Sequence, residues 1–329
     1  MRYNLLDVAK IKYGKNQKKV VSDSGTVPIY GTGGLMGYAT EPLYDRPSVL
    51  IGRKGTIDKV RYVTEPFWTV DTLFYTVINT DIVRPHYLYY LLSQIDFAQM
   101  NEGTTIPSLR TETLNRIELD IPSFDYQDKV LSIVEPMEEK IELNTAINKN
   151  LQEQAQAIYA DMFMSNADPA WPVGHLSDLI SVRYGKDHKK LADGTYPVYG
   201  SGGIMRYVEC PLYDKESVLI PRKGTLNNVM YVNEPFWSVD TMFFTEMKQD
   251  SIAKFVFHFV KSKDLASLNA GSAVPSMTTD ILNSMELYIP DTDTLQKFES
   301  IVAPMYLLMQ HHIKENAELA LLRDTLLPR

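Results

Sequence analysis

The side chains with usable chemistry recur in two basic groups. One opens the chain with Lys10, Lys12, Lys15, Lys18 and Lys19; the other is Arg183, Lys186, Lys189 and Lys190, with His188 among them. Arg53-Lys54-Gly55 and Arg222-Lys223-Gly224 each follow a strand-like run, where a turn can present both basic side chains outward. Such residues neutralise phosphates, and an arginine fork can also bind guanine O6 and N7 in a major groove. Glycine-rich segments, Gly31-Thr32-Gly33-Gly34 and Gly200-Ser201-Gly202-Gly203, accompany both turns, and Thr105, Ser108 and Ser276 add hydroxyls. A solvated basic turn is the ordinary explanation for one such cluster. Its recurrence beside a glycine-rich loop in two halves of a chain favours ligand contact. The candidate nucleic-acid-contacting set is therefore Lys15, Lys18, Lys19, Gly33, Gly34, Arg53, Lys54, Thr105 and Ser108. Its counterpart is Lys186, Lys189, Lys190, Gly202, Gly203, Arg222, Lys223 and Ser276.

Catalytic readings fare poorly. Glu65-Pro66-Phe67-Trp68 lacks the second proline and the Asn or Asp of an amino-methyltransferase motif, and reads better as a proline-started strand with aromatic core residues. The glycines complete neither a Gly-x-Gly-x-x-Gly fingerprint nor a phosphate loop ending in Gly-Lys-Ser/Thr. The histidines show no metal-ligand spacing common to both halves, so no metal site is expected. The single cysteine, Cys210, aligns with Glu41, and a nucleophile there would serve only half the molecule.

The halves are an internal duplication. Tyr30-Gly31-Thr32-Gly33-Gly34-Leu35-Met36 recurs as Tyr199-Gly200-Ser201-Gly202-Gly203-Ile204-Met205, and Pro42-Leu43-Tyr44-Asp45 as Pro211-Leu212-Tyr213-Asp214. Ile106-Pro107-Ser108-Leu109 answers Val274-Pro275-Ser276-Met277. Across 27–76, roughly 30 of about 50 positions are identical at one offset. The period far exceeds the ~20–50 residues of a solenoid repeat, so a whole domain is duplicated. Within each copy, short β-branched and aromatic runs such as 48–51, 60–63 and 73–78 predict strands. Leu88, Leu91, Leu92 and Ile95 predict a helix over 87–100. The expected fold class is α+β.

A different pattern follows each copy. Val130, Val134, Met137, Ile141, Asn144, Asn148, Leu151, Ala155, Ile158 and Met162 alternate four-three spacing, which is a coiled-coil seam with two polar layers. Phe298, Val302, Met305, Met309, His312, Asn316, Leu319, Arg323 and Leu326 repeat it, placing His312 and Asn316 at the positions of Asn144 and Asn148. Two such helices in one chain can bury their seams on each other, with Asn144, Asn148, His312 and Asn316 setting register.

Composition bounds the partners. The chain has 329 residues, 44% hydrophobic and 22% charged, enough for two domains and too apolar for disorder. The net charge of −8 argues against nucleic acid until it is located. Residues 1–122 hold 14 Lys+Arg against 13 Asp+Glu, whereas 123–165 hold 3 against 8, so the acidity concentrates on a helix. No apolar run reaches the ~18 residues of a membrane span. The first residues lack a signal-peptide core, and one cysteine suits a reducing compartment, so a cytoplasmic location is expected.

Together these motifs resemble the specificity subunit of Type I restriction-modification systems. The resemblance covers nearly the whole chain. It rests on the Tyr-Gly-x-Gly-Gly loop, the Arg-Lys-Gly-Thr turn, the Trp-x-x-Asp-Thr runs (Trp68 to Thr72, Trp237 to Thr241) and the Pro-Ser segment. It rests also on Ile121-Pro122 to Gln127 and Ile289-Pro290 to Gln296, each leading into a long helix, and on the closing Leu322-Arg323-Asp324-Thr325-Leu326-Leu327-Pro328.

The resemblance implies two tandem, pseudo-symmetric target-recognition domains, 1–122 and 166–290, joined by two long antiparallel coiled-coil helices, 123–165 and 291–329. It implies a non-catalytic subunit that binds a bipartite double-stranded DNA target and docks two methyltransferase subunits and a motor-nuclease subunit. S-adenosylmethionine and ATP with magnesium would belong to those partners, and this chain would carry no cofactor. Copies this similar imply near-palindromic half-sites, modulated by Gly37 against Arg206, Arg61 against Met230, Thr105 against Ala273 and Arg110 against Thr278. The rival readings are a free-standing bipartite DNA-binding regulator and a protein-binding scaffold without DNA recognition.

Overall fold

The computed structural model describes residues 1–268 and 276–327. The chain divides into two units, Met1–Leu143 with Glu315–Arg329, and Asn144–Lys314. The division runs through both long helices, so each unit holds part of each.

Two small sheets form the centre of each unit. In the first, an antiparallel sheet has the order Ala9–Tyr13, Leu73–Ile78, Ser48–Gly52, Val60–Val63. A second sheet pairs Gly34–Ala39 antiparallel to Val27–Gly31, which runs parallel to Trp68–Thr69. The second unit repeats this with Ile180–Tyr184, Met242–Met247, Ser217–Pro221 and Met230–Val232, then Gly203–Val208, Asp193–Gly200 and Trp237–Ser238. The expected strands at 48–51, 60–63 and 73–78 are present. Ser48–Gly52 reads as an unbroken apolar run because all five residues are buried between flanking strands. Its one polar member is satisfied: the Ser48 hydroxyl donates to the Thr76 carbonyl at 2.8 Å, and Ser217 does the same to Thr245 at 2.8 Å.

The helix expected over 87–100 is shorter. It spans Pro85–Ser93, and a 3₁₀ turn over Phe97–Met100 follows. The break has a local cause. The Gln94 and Ile95 amides tighten onto Leu91 and Leu92, and the Asp96 carboxylate accepts from the Ala98 amide at 3.1 Å, starting a new turn. Phe97 is buried all the same, which is why the apolar spacing ran past the true end. The second unit places Ala253–Lys261 equivalently.

The long helices are Phe124–Ala160 and Thr292–Leu326, 37 and 35 residues, each roughly 50–55 Å long. The first continues into a π turn, Asp161–Ser165, that buries Phe163. Pro136 and Pro304 occupy equivalent, exposed positions, so the backbone bond each removes faces water. Every proposed seam residue is buried or half-buried except Leu326. In the first unit Glu138 meets Arg323 and Ile141 meets Asn316; in the second, Asn148 meets Met309 and His312. In the first unit numbers rise on one helix as they fall on the other, so the pairing there is antiparallel.

Candidate nucleic-acid interface

The repeated motifs, scattered over a hundred residues of sequence, converge at one place in each unit. Val27–Gly31 and Gly34–Ala39 form a hairpin whose two-residue tip is Thr32-Gly33, closed by the Gly31–Gly34 pair. Gly34 and Gly203 adopt φ +120° and +113°, a region that side-chain-bearing residues rarely enter. Gly33 and Gly202 have open space where a Cβ would project, so each tip lets a ligand approach the backbone closely.

The basic turn is pinned beside that tip. The Arg53 and Lys54 amides both donate to the Thr72 carbonyl, at 2.8 and 3.2 Å, and the Gly55 amide donates to Pro107 at 2.9 Å. Lys54 bridges Ser108, and Lys223 bridges Ser276. Gly55 and Gly224, at φ +89° and +86°, lie against Thr32 and Ser201 of the hairpin tips. One corner thus gathers the glycine hairpin, the Arg-Lys-Gly turn, the Asp-Thr pair and the Pro-Ser segment.

Thr105 stands at the exposed tip of a tight loop. Asn101 Oδ1 staples that loop by accepting from the Gly103 and Ser108 amides at 2.8 and 2.9 Å. Val274 and Pro275 of the second copy, its Ala273, and Pro328 lie outside the described residues.

The basic side chains do not all behave as the sequence suggests. Lys54 and Lys223 are exposed, but the arginines are half-buried and turn back. The Arg53 guanidinium donates to the Asp71 carbonyl at 2.7 Å and lies 5.2 Å over the Tyr13 ring; Arg222 donates to Asp240 at 3.2 Å and lies 5.4 Å over Tyr184. Each keeps donors to spare, because a guanidinium has five.

The lysine clusters divide as well. Lys15 and Lys186 reach the corner: their amides donate to Thr69 and Ser238 at 2.8 Å, and their carbonyls accept from Trp68 and Trp237 at 2.9 Å. Lys18 and Lys19 lie in the turn before Val21, which bridges Ala39 at the other end of the hairpin from Gly33. Lys189 and Lys190 sit likewise before Leu191.

Sequence reasoning passed over Tyr13 and Tyr184, exposed rings that support the arginines and pack edge-on to Phe74 and Phe243. The signal was Tyr13-Gly14-Lys15 recurring as Tyr184-Gly185-Lys186. It repeats two residues out of step with the main duplication, because the intervening loops differ in length. These glycines are obligatory: a Cβ on Gly14 or Gly185 would come within 2.0 Å of a carbonyl oxygen.

The four seam residues are distributed over both units. His312 Nδ1 and Asn148 Oδ1 are 2.8 Å apart, the Asn148 amide donates to Met309 at 3.2 Å, and Asn316 donates to Ile141 at 3.4 Å. Asn144 is fully buried.

Each unit thus rests a β-rich domain on paired long helices, and the two units repeat one architecture. Residues 1–153 and 170–319 each match the Type I restriction modification DNA specificity domain, and the chain belongs to that family. It is 21% identical to the MjaIX specificity subunit of Methanocaldococcus jannaschii, over 87% of this chain and 77% of that one. The HindI specificity subunit of Haemophilus influenzae is 33% identical over 30% of this chain and 23% of its own length. The crystal structure of the Type I restriction-modification S subunit from M. genitalium superposes with a TM-score of 0.67 at 18% identity, covering 99% of this chain and 94% of that one. That likeness establishes the shared fold. No described helix is long and apolar enough to cross a membrane.

Proposed function

We propose that this chain is the sequence-reading subunit of a Type I restriction-modification complex. Its recognition domains, 1–122 and 166–290, each read half of a bipartite, near-palindromic double-stranded DNA target. The helices 123–165 and 291–329 dock two methyltransferase subunits, and a motor-nuclease subunit joins them in a cytoplasmic assembly. Adenine methylation with S-adenosylmethionine and ATP-driven cleavage belong to those partners.

The observation that carries this reading is the doubled corner, where a glycine hairpin open at its tip stands beside exposed Lys54 or Lys223 and the backbone-pinned Lys15 or Lys186. Backbone amides and lysines fix a protein on phosphates, and nearby side chains reach base edges. The inverted half-sites follow from two near-identical corners combined with antiparallel helices. Arg61, 5.3 Å over the Tyr30 ring and replaced by Met230, and Gly37, replaced by an Arg206 tied to Asp193 at 2.7 Å, are the exchanges that make the palindrome imperfect.

Mobility shifts on the chain with its methyltransferase partner test this reading. Lys54→Ala with Lys223→Ala should weaken binding uniformly across sequences and flatten the salt slope by about two. Unchanged affinity and slope would make the corner a solvated turn. Mapping methylated adenines in a genome carrying the system reads the target; half-sites without an inverted relation would refute the symmetry.

A further inference from the structure

The strand Met230–Val232 is the outer strand of its sheet. It pairs with Ser217–Pro221 on one side, and no second strand pairs with it among the described residues. A cleft of about 610 Å³ runs along that open edge, with residues 229–234 forming one wall. Across it stand Lys149 of the first long helix, Met309, Ile313 and Lys314 of the second, and Lys261 of the domain helix.

Three lysines therefore line a cleft whose one acidic lining residue is Glu234. Between them the surface is apolar, and Ile204 and Ile313 remain 49% and 62% exposed. The Lys149 pairing with Glu153 is loose, 3.9 Å between exposed side chains, and leaves that ammonium available to another carboxylate. An unpaired strand edge presents a row of backbone donors and acceptors, which proteins either shield or use to add a strand.

We propose that this edge docks an extended acidic segment of a partner polypeptide. The segment adds as a further strand, its alternate carboxylates meeting Lys149, Lys261 and Lys314 while the intervening apolar side chains cover Ile204 and Ile313. The first unit has the equivalent cleft, about 1250 Å³ along Val60–Val63, but there Glu135, Glu138, Glu139 and Glu142 of the long helix, with Asp58 and Glu65, outnumber Lys59, Arg61 and Arg323. An acidic strand is repelled at that site, so the duplicated clefts select differently. This docking is independent of how the chain reads DNA.

The test uses the full chain and a short fluorescein-labelled peptide of alternating glutamate and valine, followed by anisotropy. Saturable binding that weakens with salt is expected. The triple variant Lys149→Glu, Lys261→Glu, Lys314→Glu should weaken it at least about tenfold, with an unchanged circular dichroism spectrum. A peptide N-methylated on alternate amides keeps its charge but loses strand pairing, and should fail to bind. Absence of peptide binding, equal binding by the triple variant, or equal binding of the N-methylated peptide would each overturn the proposal.

Discussion

The two units agree where they carry the proposed reading corner and differ where the domain meets its helices. In the first unit, His86 sits 2.7 Å from Glu135 and 3.4 Å from Glu138, and the Tyr90 hydroxyl donates to Glu138 at 2.6 Å. In the second, the positions of His86, Tyr90 and Glu138 hold Lys254, His258 and Tyr306. Lys254, its side chain only 5% exposed, bonds Glu299 at 2.6 Å and Glu216 at 3.0 Å. His258 Nδ1 donates to Gln156 Oε1 at 2.8 Å, and Nε2 of the neutral ring accepts from the Tyr306 hydroxyl at 2.9 Å. One interface is thus carboxylate-rich around an imidazole. The other buries an ammonium and bonds its imidazole to two neutral groups. The duplication has held the turns, glycines and central strands while its polar packing drifted, because several networks can satisfy the same buried positions but few backbones can form the corner.

The largest test of that contrast is Lys254. Removing it as Lys254→Ala leaves Glu299, 20% exposed, without its cation, and a loss of about 3 kcal/mol is expected in urea melts. His86→Ala should cost clearly less, because its ring is 19% exposed against 5% for the Lys254 side chain and Glu138 keeps Arg323 and Tyr90 as partners. Equal losses would erase the distinction. Lys254→Met combined with Glu299→Leu should recover most of the stability, because the unpaired charge then disappears.

The two imidazoles should respond oppositely to pH. Burial, with a smaller contribution from the Lys261 charge, pushes His258 down to about 4. Its neutral form is stabilised in the fold, so that stability is intact above the ordinary value of 6.5 and falls away as pH drops toward 4. By pH 5 the loss should be ~2 kcal/mol relative to neutral pH, and His258→Gln should remove that difference from the melts. For His86, burial acts downward, but hydrogen bonds and charge from Glu138 and Glu135 outweigh it and hold the group above its ordinary value. Its contribution is full below 6.5 and fades as pH rises through the raised value. A single shared pH profile in His86→Gln and His258→Gln would contradict the assignment.

The smallest test lies at the short helices beside the Pro-Ser segments. Thr278 caps Thr279–Asn283 by accepting from the Ile281 amide at 3.3 Å, whereas Arg110, before Thr111–Asn115, makes no side-chain cap and pairs with Glu102 at 3.1 Å. Thr278→Ala should cost about 1 kcal/mol, and Arg110→Ala only a few tenths at this exposed pair. Thermal melts of the two variants would show whether equivalent exchanges in these loops are energetically interchangeable.

Much of this was legible in residue order. Identity at a single offset revealed the duplication, β-branched runs located the central strands, and the four-three spacing located helices whose seam positions are buried or half-buried almost throughout. The end of Pro85–Ser93 was not legible, since Phe97 continues the apolar spacing from a separate turn. The second contact of Lys15, and the Tyr13 platform beneath Arg53, were hidden by loops of unequal length.

Sequence alone determined the period-dependent features, because strand and helix burial imprint periods of two and of three and a half on neighbouring residues, and duplication copies them. Only tertiary structure decided which distant groups share a corner, where Arg53 spends its hydrogen bonds, and that two equivalent clefts carry opposite charge. Those outcomes depend on contacts between residues far apart in the chain. Each such contact involves one partner at a time, leaving no periodic trace to read.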